Sequence, residues 1–103
     1  MGIAIQIVAE DLNTVISYQD GIEVYNDFFY FRKVILANNI ILISTIDPYG
    51  DTIINQSQLA RFKKEIQQLR TYNDINQSIV DVLQQAADAI VPYSNQYIKF
   101  IGD

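Results

Sequence analysis

The segment from Asp47 to Thr52, DPYGDT, combines two carboxylates, a phenol, a proline and a glycine in six residues. Paired carboxylates can perform acid–base chemistry when one keeps its proton, and they can hold a hard cation such as Mg²⁺. The run from Asp47 to Gly50 also fits a type I turn. Because no turn rule requires Tyr49 or Asp51, three interpretations stay open: a turn alone, a binding loop, or a carboxylate-based active site.

The composition argues against catalysis. The chain has no Cys, no His and no Trp, which excludes disulfides, thiolate or imidazole zinc sites and haem ligated by Cys or His. Acid–base chemistry would have to use Asp, Glu, Lys or Tyr. Neither a calcium-binding loop nor a glycine-rich phosphate loop is present. We therefore expect a non-catalytic protein without a cofactor or metal.

Charge is spread unevenly along the chain. The net charge is −5, so nucleic acid is not an expected partner. Residues 1–31 contain five acidic residues and no basic one, whereas four of the seven cations lie in residues 55–70. Asp74, Asp81 and Asp88 are seven residues apart, which places them on one helix face. These charged faces are typical of solvated surfaces, and an acidic one would also suit a basic protein partner.

The sequence shows no sign of membrane insertion or export. No apolar run approaches the ~20 residues that span a bilayer, and the apolar start MGIAIQIVAED has no preceding Lys or Arg. We expect a cytoplasmic protein without a membrane partner.

The first half of the chain predicts strands. Residues 3–8, 14–18 and 22–25 alternate or are rich in β-branched and aromatic side chains. Asp20-Gly21 between two such runs predicts a hairpin. Residues 28–37 fit either a helix or a strand, and the strand is favoured, with Asn38-Asn39 turning into a buried strand over 40–46.

The second half predicts two amphipathic helices and a strand. Asn55 and Gln58 form a capping-box pattern before a helix over 56–70. A second helix is predicted over 75–90, where Pro92 stops it, and residues 97–101 are a terminal strand. The 103 residues therefore predict one α+β domain, residues 1–103, in which an antiparallel sheet from the N-terminal strands and the C-terminal strand packs against an antiparallel two-helix hairpin.

Two segments carry a resemblance. Ile46-Asp47-Pro48-Tyr49-Gly50-Asp51-Thr52 with Asn55, and the ending Tyr97-Ile98-Lys99-Phe100-Ile101-Gly102-Asp103, resemble small uncharacterised bacterial proteins that share IDPYGDT…N and YxKFxGD. The resemblance implies a bacterial source and no mechanism. It draws attention to Gly102 and to five candidate binding residues: Asp47, Tyr49, Asp51, Asn55 and Asp103. If the last strand ends near the turn, both segments would form one acidic patch.

These observations lead to three functional hypotheses. The first is a non-catalytic protein-interaction module of a bacterial cytoplasm. A specific form of it is an immunity or antitoxin protein that blocks a basic toxin. The second is a small-molecule-binding or regulatory domain, and the third is a carboxylate-based enzyme. A homodimer is the commonest oligomer for a chain of this kind.

Overall fold

The protein is an α+β fold built on one antiparallel sheet. The computed structural model describes residues 2–103. Its elements follow the order β1 (Gly2–Val8), β2 (Val15–Glu23), α1 (Asn26–Ala37), a 3₁₀ turn (Ile43–Thr45), β3 (Asp51–Ile54), α2 (Gln56–Leu69), α3 (Gln77–Ala89) and β4 (Tyr97–Ile101). The strands lie in the order β2-β1-β4-β3, and every neighbouring pair is antiparallel. Within the described residues, no helix has the length and hydrophobicity of a membrane span.

The core lies on one face of the sheet. Ile3, Ile5 and Ile7 alternate along β1 and are buried, as are Ile98 and Phe100 along β4. This period of two is what a strand with one covered face requires. Helix α3 contacts β1 and β2, and α2 contacts β3. The buried side chains of the sheet and of all three helices form a single apolar cluster.

Helices α2 and α3 run antiparallel, as the sequence predicted. Gln67 bonds to Gln84 and Arg70 bonds to Asp81, so residue numbers rise along one helix while they fall along the other. Each helix begins after an Asn whose side chain accepts a backbone N–H, and at α2 the predicted capping box is complete. Capping removes unsatisfied donors from the first helical turn.

The predicted hairpin at Asp20-Gly21 is wrong, because both residues lie inside the continuous strand β2. The pairing of β1 with β2 contains two irregularities, one of them between Ile3 and Ile5. A Cβ at residue 21 would lie 2.6 Å from the backbone oxygen of Ile3. Glycine is therefore needed here for close backbone approach at a bulge, not for a turn with positive φ.

Residues 28–37 belong to helix α1, so the favoured strand is wrong and the helical alternative is confirmed. Phe28, Phe31 and Ile35 are its buried positions. The helix ends in a Schellman motif: Asn39 has a φ of 57° and donates to Leu36 O, while Ile40 N donates to Ile35 O. The left-handed tendency of Asn was anticipated, but it ends a helix here instead of joining two strands.

The strand predicted over 40–46 is also wrong. Residues 43–45 form a 3₁₀ turn, although Ile40, Leu42, Ile43 and Ile46 are buried as expected. The buried carboxylate of Glu65 accepts the backbone N–H groups of Leu42 and Ile43, at 3.1 and 2.8 Å. These donors therefore bind a side chain of α2 instead of a neighbouring strand.

Candidate functional site

The segment DPYGDT forms the turn that leads into β3, the strand that the sequence analysis missed. Asp47 Oδ1 accepts from Tyr49 N at 2.8 Å, and Asp47 N donates to Thr52 Oγ1 at 3.1 Å. Thr52 Oγ1 in turn donates to Thr45 O at 3.2 Å. Pro48 is buried. Asp47 thus holds the turn, and most of the unusual composition of the segment is turn chemistry.

The C-terminal segment lies directly on this turn. Gly102 N donates to Gly50 O at 2.8 Å, and Asp103 N donates to Pro48 O at 3.1 Å. A Cβ on residue 102 would lie 2.5 Å from Gly50 N and 2.6 Å from the carbonyl carbon of Pro48. Both are backbone atoms, so only glycine fits without a shift of the chain. The two segments that carry the resemblance are therefore one structural unit.

Asn55 has a structural role. Its side chain accepts from Gln58 N at 3.0 Å and from Ser57 Oγ at 2.7 Å, while Gln58 Oε1 accepts from Asn55 N. These bonds cap the first turn of α2.

The other three candidates are free side chains at the same end of the sheet. Tyr49 is 63% exposed, and Asp51 and Asp103 are also exposed. Asp51 pairs through its backbone with Ile101, the residue before Gly102. Within residues 2–103 no hydrogen bond or ion pair involves their side chains. The structure therefore brings together Tyr49, Asp51 and Asp103 as groups available to a partner.

Two adjoining cavities extend from this surface, and together we call them the acidic groove. The first, about 430 Å³, is lined by Asp103 and Glu23 at the ends of β4 and β2. The second, about 310 Å³, shares Glu23 and continues past Tyr25 and Asp27 to α3. Ile22 and Ile79, both buried, contribute apolar lining. Sequence reasoning missed Glu23, Tyr25 and Asp27, because it assigned Gly21 to a hairpin and could not place β2 beside α3.

The acidic groove is lined by carboxylates without cations. Glu23, Asp27 and Asp103 are its charged residues, and the described lining contains no Lys or Arg. The ion pairs in residues 2–103, Arg61–Glu65 and Arg70–Asp81, lie elsewhere. An unneutralised groove with apolar lining suits a positively charged group carried on an apolar stem.

Two side-chain hydrogen bonds hold α1 beside the loop that leads into α3. Asp27 Oδ2 accepts from Asn76 Nδ2 at 3.1 Å, and Asp74 Oδ2 accepts from the Tyr30 hydroxyl at 3.2 Å. The bond to Asp74 and the negative charge of that carboxylate raise the pKa of Tyr30. The groove wall is thus joined to both α1 and α3.

Carboxylates are not grouped in a way that suits a metal ion. Among residues 2–103, no three acidic side chains lie close enough to bind one together. The carboxylate of Asp47 accepts a backbone N–H, whereas that of Asp51 lies exposed on β3.

No family model, curated protein or solved structure matches this chain.

Proposed function

We propose that the protein is a non-catalytic interaction module that binds a basic protein partner through the acidic end of its sheet. One observation carries the proposal. The C-terminal residues lie on the DPYGDT turn, so exposed Tyr49 and Asp51 lie at the same end of the sheet as Asp103, which lines the acidic groove together with Glu23.

The chemistry of this surface suits protein recognition. Tyrosine combines a large apolar ring with a polar hydroxyl, which makes it a frequent anchor in protein interfaces. The neighbouring carboxylates attract a positively charged partner and accelerate association. Loops held by rigid elements commonly provide binding residues. This turn is held by hydrogen bonds with Thr52 and with the backbone of Gly102 and Asp103, which follow β4.

The partner class follows from the charge. A chain of net charge −5 with an acidic groove would bind a basic protein such as a nuclease toxin, and an immunity or antitoxin role in a bacterial cytoplasm is the specific form that we favour. The resemblance of the turn and the C-terminus to bacterial proteins supports the bacterial setting.

A comparative pull-down from a lysate of the source cells tests the proposal. The bait proteins are the wild type, the double variant Tyr49→Ala/Asp51→Ala, and the control Tyr18→Ala/Asp88→Ala. The control removes one exposed tyrosine and one exposed aspartate outside the proposed surface. Circular dichroism and urea unfolding establish that all three baits are folded.

We expect a stoichiometric basic protein that the wild type and the control capture and the turn variant loses. Its association rate with purified wild type should fall steeply as salt is added, because screening weakens charge attraction. A partner retained by the turn variant would contradict the proposed surface. Absence of any partner would contradict the interaction module and favour a small-molecule role.

A further inference from the structure

A third cavity has the opposite charge character to the acidic groove. It lies between helix α2 and the segment that follows α1, and its volume is about 490 Å³. Its polar lining residues are Asn39, Arg61, Lys64, Glu65 and Gln68. Cavities of roughly 300–1,000 Å³ are the usual size for small-molecule sites.

Glu65 holds Arg61 in place within this cavity. The Glu65 side chain is buried, with only 5% of the residue exposed. Besides the backbone N–H groups of Leu42 and Ile43, its carboxylate accepts from Arg61 Nε at 3.2 Å. Arginine carries five N–H donors. Within the described residues, no hydrogen bond engages the two terminal nitrogens of Arg61, so they remain available to a ligand.

A second cation and two amides complete the set of donors. Arg61, Lys64 and Gln68 are three and four residues apart, which places them on one face of α2. Lys64 forms no ion pair within residues 2–103. Asn39 lies opposite, at the end of α1. Since Glu65 neutralises Arg61, the charge of Lys64 leaves the lining with a net positive charge.

We propose that this cavity binds a small molecule through an oxyanion group, a phosphate or a carboxylate, placed between Arg61 and Lys64. Guanidinium binds such groups through paired N–H donors, and ammonium binds them as a compact charge. The Asn39 amide and the second N–H of the Gln68 amide, whose Nε2 also donates to the Tyr72 hydroxyl at 3.3 Å, donate to the rest of the ligand. This site is independent of the protein-binding surface proposed above.

An NMR titration of the whole protein tests the site. Inorganic phosphate and succinate are added separately, and sodium chloride at matched ionic strength is the reference. We expect at least one oxyanion to change the chemical shifts of backbone amides near Asn39 and along residues 61–68, and these changes should saturate as the oxyanion concentration rises. Saturation by phosphate alone, or by succinate alone, would support the site and identify the group that it takes.

Matched variants separate the cavity from general charge effects. Lys64→Gln should weaken binding about tenfold, as expected for a lost hydrogen bond to a charged group. Lys63→Gln removes the same charge one residue away, outside the cavity lining, and should bind like the wild type. Arg61→Lys keeps the charge but removes the paired donors, and should also weaken binding.

Two results would overturn the proposal. One is the absence of saturable shifts with both oxyanions. The other is equal weakening in Lys63→Gln and Lys64→Gln, which would indicate non-specific attraction to the helix. Because both lysines are exposed, neither variant should lose the fold, and circular dichroism checks this.

Discussion

At the scale of single residues, Gly102 shows how a missing side chain determines the shape of the candidate site. The N–H of Gly102 reaches Gly50 O at 2.8 Å, and the backbone of residues 47–50 occupies the space that a Cβ would need. The glycine is required by this contact rather than by its own backbone angles, since no glycine of the described chain has a positive φ.

Gly102→Ala should therefore destabilise the protein by about 1–3 kcal/mol, the usual cost of forcing extra atoms into a packed region. Backbone neighbours cannot rotate away as a side chain could. Urea unfolding measures the change, and Asp103→Ala is the control because it truncates an exposed side chain at the next position. Equal stability of Gly102→Ala and the wild type would show that the C-terminus does not need this contact.

Asp11 offers a residue-scale test of pH dependence. Its carboxylate accepts from the Thr14 hydroxyl at 2.6 Å and from the backbone N–H groups of Thr14 and Asn13. These bonds favour the charged form and lower the pKa of Asp11 from 3.8 to about 2. A lowered pKa means that ionised Asp11 stabilises the folded state, and that protonation removes this contribution.

The wild type should be more stable than Asp11→Asn above pH 3.8, and the difference should shrink as pH falls from 3.8 toward about 2. Urea unfolding of both proteins across this range provides the comparison. Asp20→Asn is the control, because no side-chain hydrogen bond involves Asp20 within residues 2–103. A stability difference that stays constant down to pH 2 would contradict the assignment.

At the scale of elements, Glu65 joins α2 to the segment that follows α1. It is the buried charged residue of the described chain, and three donors surround its carboxylate. Buried carboxylates are tolerated when hydrogen bonds replace lost water. Because Glu65 binds the backbone N–H groups of Leu42 and Ile43, these groups do not pair with a strand of the sheet. Its bond to Arg61 Nε also holds that side chain in the lining of the proposed oxyanion cavity.

Glu65→Gln should cost about 1–3 kcal/mol of stability, because the amide brings N–H donors to a site whose neighbours are also donors. Glu23→Gln is the matched control: it makes the same chemical change at an exposed position, where effects usually stay within about ±0.5 kcal/mol. Urea unfolding compares the two. A loss in Glu65→Gln no larger than in the control would show that the carboxylate is not essential to this connection.

At the scale of the whole molecule, most of the charged side chains contribute little to the stability of the fold. The chain has twelve acidic residues, while the ion pairs of its described part use Glu65 and Asp81. Most carboxylates therefore lie on the surface without a cation, where they repel one another. Such charges favour solubility and fast association more than folding.

The triple variant Glu23→Gln/Asp27→Asn/Asp103→Asn removes the charges of the acidic groove. Its unfolding free energy should stay within about ±1 kcal/mol of the wild type, since the three side chains are exposed and form no ion pair within residues 2–103. An asparagine in place of Asp27 also keeps an oxygen that can accept from Asn76. Association with the captured partner should slow and lose most of its salt dependence. Unchanged association would contradict the role of the groove in binding. A large loss of stability would show that its carboxylates are needed for folding instead.

Patterns that act within a few residues predicted the α2 capping box and the helices α2 and α3 correctly. They also predicted β4, which begins and ends at the expected residues. They failed at Gly21, in residues 28–37 and in residues 40–46. At each of those positions the deciding contact comes from residues distant in the sequence or from burial of one face.

The α+β class, the start of α2 after Asn55, the acidic character and the turn at Asp47 could be predicted from the sequence, because alternation, capping and turn chemistry act between near neighbours. The folded structure was needed to show that β4 pairs between β1 and β3, that Gly102 lies on the turn, and that Glu23 lines a cavity together with Asp103. Strand order and side-chain proximity depend on which distant segments share a buried face. A local pattern contains no information about that choice.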